Sequence, residues 1–189
     1  MEFKLWLKNL TKITCSRKND YLINKTFKGV LTWIYKTEYR GGCHDTSAAL
    51  FILLSEQGID SKLCIGEVKI NDTSYFDHSW VEIDGLILDA SVCMPNIGIY
   101  AFPPVYASQS LSMLGEPLII YGASSPGGFE EKGMLISSIN LSDYSLGNAD
   151  NPKILWELTK ILSKEIGLRV NAGKLKNKYG AVKRSLIRG

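Results

Sequence analysis

The chain has 189 residues, of which 45% are hydrophobic and 22% are charged, a composition that predicts one globular domain with a substantial apolar core. The net charge of +3 is too small to indicate a nucleic-acid partner, and none is expected. The longest apolar run, Ala48 to Leu54, falls far short of the roughly 20 residues that span a bilayer, so no membrane span is predicted. Lysines interrupt the apolar residues near the N-terminus and exclude a signal-peptide core, which makes the cytoplasm the expected location.

Within this single domain, residues 1–40 are predicted to form an N-terminal helical arm. Apolar residues recur at steps of three and four over residues 21–38, which is typical of an amphipathic helix. The Gly41-Gly42 pair then permits a sharp change of direction. A second helix is predicted over residues 43–57, apolar around most of its circumference and therefore buried, with Gly58 as its stop.

The central segment, residues 41–91, is predicted to continue from this helix into an antiparallel sheet. Strand-like residues occupy 62–70, 75–83 and 86–90. Asp84-Gly85 is the dipeptide expected of a tight two-residue hairpin turn. Helices followed by antiparallel strands predict an α+β fold.

The next segment, residues 92–152, is rich in Gly, Pro, Ser and Asn. It is predicted to be loop-rich, with short strands at 118–121 and 134–139. The C-terminal segment, residues 153–189, is predicted as a last helix over 154–166 followed by a basic tail. We expect that tail to be solvated or a frayed helix, with an electrostatic contact to an acidic partner, a membrane surface or a nucleic acid as the alternative. No pattern indicates an oligomeric state.

Four cysteines are present, and their wide spacing contains no Cys-x-x-Cys pair. No structural zinc site and no other metal or cofactor is therefore predicted. A zinc site that included both Cys43 and His44 is disfavoured, because adjacent residues would struggle to bind one ion together. Without a signal peptide the cysteines are expected to be reduced.

Cys43 is the candidate nucleophile, because it follows two glycines and begins the most hydrophobic predicted helix. The attacking species of a thiol enzyme is the thiolate, so the thiol pKa must fall well below about 8.5. A helix N-terminus supplies unpaired N–H groups and the positive end of the helix dipole, which both favour an anion. The same groups, including the N–H of Cys43, could hold a developing oxyanion, and Gly42 would let a substrate approach closely.

His78 is the candidate general base, because it lies inside a predicted strand where neither a turn nor a helix cap explains it. With Asp84-Gly85 as the turn, Trp80 opposes Asp89 across the hairpin. Side chains alternate between faces along a strand, so His78, Trp80 and Asp89 share one face. Asp89 is then a diagonal neighbour of His78, at roughly 7–8 Å between backbones and within reach of a hydrogen bond.

Two other residues compete for these roles and are disfavoured. His44 is expected to be a poor base for Cys43, since adjacent helical residues point about 100° apart. Asp77 should face the opposite side of the sheet from His78, which favours Asp89 as the partner of His78.

The quoted motifs resemble the transglutaminase-like superfamily. The similar segments are Gly42–Leu50, Leu63–Gly66, His78–Gly85 and Leu88-Asp89, within about residues 39 to 91. In that family a cysteine at a helix start, a histidine in a His-x-Trp-Val-Glu strand and an aspartate on the next strand form a papain-type triad. The resemblance therefore implies a papain-like fold with the catalytic cysteine packed on the sheet.

By this resemblance Cys43 would be the nucleophile, His78 the general base and acid, and Asp89 the residue that orients His78. Members similar to this chain include bacterial proteases, lasso-peptide-processing enzymes and transglutaminases. The expected activity is hydrolysis of, or acyl transfer from, amide bonds in a peptide or protein substrate, without a cofactor. Gly42 and Trp80 are the candidate substrate-binding residues, although packing beside the site is the stronger expectation for Trp80.

A non-catalytic protein-interaction module on the same fold is the alternative function. Three aligned polar residues argue against it, because a binding module does not need them. His44 stands where the family often has a small or an aromatic residue, a departure that leaves the proposed triad intact. The segments outside residues 39–91 resemble nothing that would predict the substrate.

Overall fold

The computed structural model describes residues 2–16, 18–149 and 151–189, in which helices pack against a five-stranded sheet. The helices are α1 (Glu2–Leu10), α2 (Asp20–Thr37), α3 (Cys43–Glu56), α4 (Glu131–Ser138), α5 (Leu141–Leu146), α6 (Ile154–Glu165) and α7 (Ala172–Tyr179). The strands are β1 (Lys62–Asn71), β2 (Ser74–Ile83), β3 (Leu86–Leu88), β4 (Val105–Tyr106), β5 (Gln109–Ser110), β6 (Ile120–Ala123) and β7 (Ser185–Ile187). The predicted mixture of helices and antiparallel sheet is confirmed.

The predicted helical arm is part of the main core. The apolar stripe of α2 is buried, and Ile23, Phe27 and Ile34 are each 0% exposed. Helix α3 packs against α2, α6 and β2, and most of its residues from 46 to 54 are buried. Each buried Leu or Ile contributes about 1.5–3 kcal/mol, so the core fixes the position of the helix that begins at Cys43.

Strand β1 is central in the sheet, whose order is β3-β2-β1-β6 with β7 also beside β1. β1 pairs antiparallel with β2 and β6 but parallel with β7. Gly66 allows β7 to come close, since a Cβ added there would lie 2.6 Å from the carbonyl oxygen of Ile187. The parallel β7 is a departure from the predicted antiparallel sheet.

The hairpin between β2 and β3 follows the predicted register. Asp84 and Gly85 have φ values of 51° and 77°, the left-handed pair of a type I′ turn. Val81 pairs with Leu88, as expected. The hydrogen-bonded ladder ends at this pair, so Trp80 and Asp89, the next pair in the same register, lie just beyond it, and Asp89 also forms a bridge with Val105 of β4.

The segment 134–139, predicted as a strand, lies mostly in helix α4. Gly133 and Ile136, three residues apart, are its buried positions, whereas Met134 and Leu135 are exposed. Apolar residues on the exposed face obscure the helical period, which explains the wrong prediction. The fold therefore places a helix, α4, beside the sheet where a strand was expected.

The C-terminal segment is more ordered than a basic tail. Helix α6 is followed by α7, in which Leu175 and Tyr179 are buried and the lysines between them are exposed. The chain then forms β7, and the preceding Arg184 is 4% exposed. The two buried residues that anchor α7 lie four positions apart, and two positions are too few to reveal a helical pattern in a segment this rich in lysine. The charge of the segment therefore suggested a solvated tail.

Within the described ranges, no helix combines the length and the apolar character needed to cross a membrane.

Candidate active site

Cys43 is the first residue of α3, as predicted, and its side chain is half-buried. Gly42 precedes it as the N-cap, and the Thr46 backbone N–H and hydroxyl both reach the carbonyl of Gly42, at 2.9 Å and 2.8 Å. The thiol therefore lies in the first helical turn, where backbone N–H groups lack intrahelical partners. This position favours a negative charge on sulfur.

His78 and Asp89 form a buried hydrogen-bonded pair. His78 Nε2 lies 2.6 Å from Asp89 Oδ2, and the two residues are 4% and 2% exposed. Nε2 must carry the hydrogen, because a carboxylate only accepts. Nδ1 is then the ring nitrogen left for another partner, and His78 lines the same cavity as Cys43.

Asp89 is held by more groups than the sequence indicated. Its Oδ2 also accepts the Tyr121 hydroxyl at 2.7 Å. Its Oδ1 accepts the backbone N–H and the hydroxyl of Ser91, at 2.9 Å and 2.8 Å, and the N–H of Val92 at 3.2 Å. Such a network fixes the carboxylate in its ionised form. Tyr121 lies 32 residues from Asp89, and no local pattern could have linked them.

The protonation equilibria of the three residues are shifted in a consistent way. Burial by itself raises the pKa of Cys43, but attraction and hydrogen bonds to His44 and His78 bring it well below its ordinary value. Burial lowers the pKa of His78, but Asp89 and then Cys43 raise it above its usual range. Burial raises the pKa of Asp89, but His78, Tyr121 and Ser91 lower it overall. The directions favour a thiolate, an imidazolium and a carboxylate.

His44, disfavoured as a partner of Cys43 on sequence grounds, lies beside the thiol. It lines the cavity with Cys43 and His78, and its attraction for the thiolate is a larger cause of the lowered Cys43 pKa than that of His78. Its Nδ1 lies 2.7 Å from Ser79 Oγ. The expectation that adjacent helical residues point about 100° apart considered helix α3 alone. In the structure the imidazole of His44 also interacts with Ser79 of strand β2, which holds the ring beside the site.

The cavity around Cys43 has a volume of about 280 Å³. One wall is the 94–100 segment, which follows β3 and carries exposed apolar side chains. Glu130 and the start of α4 also line the cavity. A cleft of this size and mixed lining can hold part of a peptide.

Asp77, next to His78 on β2, also lines this cavity. Its Oδ2 is buried and has no hydrogen-bond partner among the described residues. Burial, then the charges of Glu130 and Glu67, raise the pKa of Asp77 to about 6. Gly133 of α4 lies against it, since a Cβ there would be 2.1 Å from Oδ2.

The two predicted substrate-binding residues, Gly42 and Trp80, are not among the described residues that line the cavity. A Cβ on Gly42 would lie 2.0 Å from the ring of Tyr39, so packing accounts for this glycine. Gly41, with φ of 65°, lines the cavity in its place. Trp80 is 1% exposed and donates its indole N–H to Glu82 at 2.8 Å, as expected for a packing residue.

Arg184 supports the first turn of α3, which contains Cys43. Its Nη2 donates to the carbonyl of His44 at 3.1 Å, and its guanidinium lies 4.3 Å from the ring centroid of Tyr144. Tyr144 in turn donates its hydroxyl to Asp45 at 2.9 Å. No local pattern indicated this contact, because Arg184 lies 140 residues from His44.

The other cysteines differ from Cys43 in their environment. Cys15, Cys64 and Cys93 are buried and free, and burial is the main cause that raises the pKa of each to about 12. These thiols are expected to be inert. Over the described ranges, no three His, Cys, Asp or Glu side chains are arranged to hold a metal ion.

Comparison with known proteins supports the resemblance read from the motifs. The family model described as the transglutaminase-like superfamily matches residues 22–96, which include most of α2, all of α3 and strands β1 to β3. This superfamily includes cysteine-dependent enzymes. No curated protein and no solved structure matches the chain. The matched segment contains Cys43, His78 and Asp89.

Proposed function

We propose that the protein is a cysteine-dependent hydrolase of peptide or other amide bonds, with acyl transfer to an amine as a variant of the same reaction. The observation that carries the proposal is the buried His78–Asp89 hydrogen bond of 2.6 Å beside a thiol at a helix N-terminus. The transglutaminase-like match over residues 22–96 adds the expectation of cysteine chemistry. A peptide or protein in the cytoplasm is the proposed substrate.

Each residue has a distinct role in the proposed reaction. The Cys43 thiolate attacks the carbonyl carbon, and the N–H of Cys43 is a candidate donor to the oxyanion. His78 donates its proton to the leaving nitrogen, so the C–N bond breaks and an acyl-enzyme forms. His78 then takes a proton from water, which attacks the acyl carbon and releases the thiolate. Asp89 keeps the ring of His78 in one tautomer and orientation.

Hydrolysis and transfer differ only in the second nucleophile, which is water in one and an amine in the other. Exposed residues of the 94–100 segment form part of the cavity lining, which supports access for either nucleophile. Incubation with a peptide library and a primary amine, followed by mass spectrometry, separates the two outcomes. Cleaved peptides support the hydrolase, and peptide–amine adducts support the transferase.

The first test is alkylation of the native protein by iodoacetamide across pH 4 to 9, resolved by cysteine, for wild type and His78→Ala. We expect Cys43 to react at about pH 5 to 6, where an ordinary thiol is protonated, and to lose this advantage in the variant. Cys15, Cys64 and Cys93 are internal controls. If Cys43 titrates like an ordinary thiol in both proteins, the catalytic proposal fails and the interaction module replaces it.

A further inference from the structure

His44 has no role in the proposed triad, although its side chain lies at the nucleophile. The chain contains two histidines, and both line the cavity that contains Cys43. Hydrogen bonds of both rings contribute to the lowered pKa of Cys43. Asp89 fixes the ring of His78, whereas Ser79 fixes the ring of His44. The two imidazoles are therefore held in different ways and can serve different purposes.

The partner of His44 defines which ring nitrogen carries a hydrogen. Ser79 is 0% exposed, and its hydroxyl has one side-chain hydrogen bond among the described residues, to His44 Nδ1 at 2.7 Å. A buried hydroxyl that lacks a hydrogen-bond acceptor is costly, which favours donation by Ser79 to Nδ1. Nε2 of His44 then carries a hydrogen, as it also does when the ring holds both protons.

The rest of His44 is also immobilised. The ring of Tyr144 makes an edge contact with the imidazole, at 6.3 Å between centroids and an angle of 74°. Arg184, 4% exposed, donates to the His44 carbonyl at 3.1 Å. A fixed N–H donor at the side of a nucleophile has the properties of a preorganised oxyanion donor.

We propose that His44 is a catalytic residue that donates its Nε2–H to the oxyanion formed when the Cys43 thiolate attacks an acyl group. The proposal rests on the proposed function, because it assigns a role within that acyl transfer. Bond making is unchanged: the carbonyl π electrons move to oxygen, His44 hydrogen-bonds that oxygen, and the hydrogen stays on Nε2. The proton for the leaving nitrogen still comes from His78.

Two reactions of the same thiolate separate this role from simple activation of Cys43. Alkylation by iodoacetamide displaces iodide and forms no oxyanion, whereas acylation by p-nitrophenyl acetate does. Both rates are measured for wild type, His44→Leu and His44→Gln, and each is corrected for the thiolate fraction from its own pH profile. We expect His44→Leu to reduce acylation about 100-fold with little change in alkylation, and His44→Gln, which keeps an N–H donor, to restore part of the loss.

Ser79→Ala provides a second variant that leaves the imidazole in place. This variant removes the hydrogen bond that fixes the tautomer and the orientation of the His44 ring. The acylation rate is expected to fall by a smaller factor than in His44→Leu, while the alkylation rate is retained. Circular dichroism and the unfolding midpoint of each variant check the fold. Equal losses in both reactions, or unchanged acylation in His44→Leu, overturn the role of His44. If wild-type Cys43 lacks acid reactivity, the proposed function itself fails, and that result is distinct.

Discussion

Asp89, which directly follows the last residue of β3, accepts a hydrogen bond from His78 at 2.6 Å. Its N–H donates to Val105 at 2.8 Å, and its carbonyl accepts from Val105 at 2.9 Å. Diagonal neighbours in a regular hairpin lie roughly 7–8 Å apart between backbones, a separation that the two side chains span, and the bridge to Val105 holds the Asp89 backbone in place. The short strand β4 is thus part of the support of the candidate site.

Replacing Asp89 with Asn tests the electrostatic part of this relationship. The amide has nearly the same shape but no charge, so the His78 imidazolium loses its partner and the Cys43 thiolate loses stabilisation. We expect the alkylation rate of Cys43 at pH 6 to fall by about tenfold or more. Cysteine-resolved mass spectrometry measures the rate, and Asp72→Asn, an exposed carboxylate, is the matched control. An unchanged rate would show that Asp89 does not act on the thiol.

Tyr121 is predicted to contribute to stability through its hydrogen bond to Asp89. Tyr121→Phe removes a 2.7 Å hydrogen bond to a buried carboxylate, and bonds to charged groups contribute about 1.5–3 kcal/mol. The unfolding free energy from urea titration should fall by that amount at pH 7. Because Tyr121 helps to lower the pKa of Asp89, its contribution is present above the unfolded pKa of Asp89 and is lost as pH falls through the folded pKa. A loss that does not shrink at a pH where Asp89 is protonated in the fold would contradict this coupling.

Asp77 is predicted to destabilise the fold when it is ionised. Its pKa is raised to about 6 in the fold, so its folded form binds more protons than its unfolded form at intermediate pH. Its contribution to stability is therefore present below its unfolded pKa, near 3.9, and is lost as pH rises through about 6. We expect Asp77→Asn to raise the unfolding free energy by about 1 kcal/mol at pH 7.5, after a discount for partial exposure.

The same measurement near pH 4 is the internal control for Asp77→Asn. At that pH the folded wild type holds a protonated carboxyl, and the gain should shrink. The groups that act on the carboxylate are Glu130 and Glu67, which raise its pKa, and His44 with the Glu130 N–H, which lower it. A gain that is independent of pH would contradict the electrostatic explanation.

Gly42 is predicted to be required for packing at the start of α3. A Cβ there would lie 2.0 Å from Tyr39 Cε1, and the ring would have to move away from Asp45, to which its hydroxyl donates at 2.9 Å. Gly42→Ala should lower the unfolding free energy by about 1–3 kcal/mol, as overpacking typically does. Gly115→Ala, at a position with open space around it, is the control. Equal unfolding midpoints for the two variants would refute the packing role.

The sequence predicted the parts of the site that depend on local patterns. The helix that begins at Cys43 follows from two glycines and an apolar run, and the hairpin register follows from Asp84-Gly85. These patterns suffice because helix and hairpin geometry repeat over a few residues. The hydrogen bond between His78 and Asp89 was expected from this register, whereas the further bridge from Asp89 to Val105 was not.

Contacts that join distant segments could not be predicted in this way. Tyr121 and Arg184 reach the site through tertiary packing, and nothing near them in the chain indicates their partners. The position of His44 beside the thiol was not expected, because its ring direction depends on Ser79 of β2 as well as on its own helix. Single-sequence patterns contain no information on such pairings, which are decided by how the layers pack.

The hydrogen bond from Arg184 to the carbonyl of His44 joins residues 140 positions apart and has a consequence for the order of folding. Contacts of large sequence separation form late, because the entropy of loop closure has to be overcome before they contribute. The turn that contains Cys43 therefore gains its final support only when β7 docks beside β1. We expect folding intermediates to contain Cys43 as an ordinary, weakly nucleophilic thiol, so that the reactive form arises together with the completed sheet.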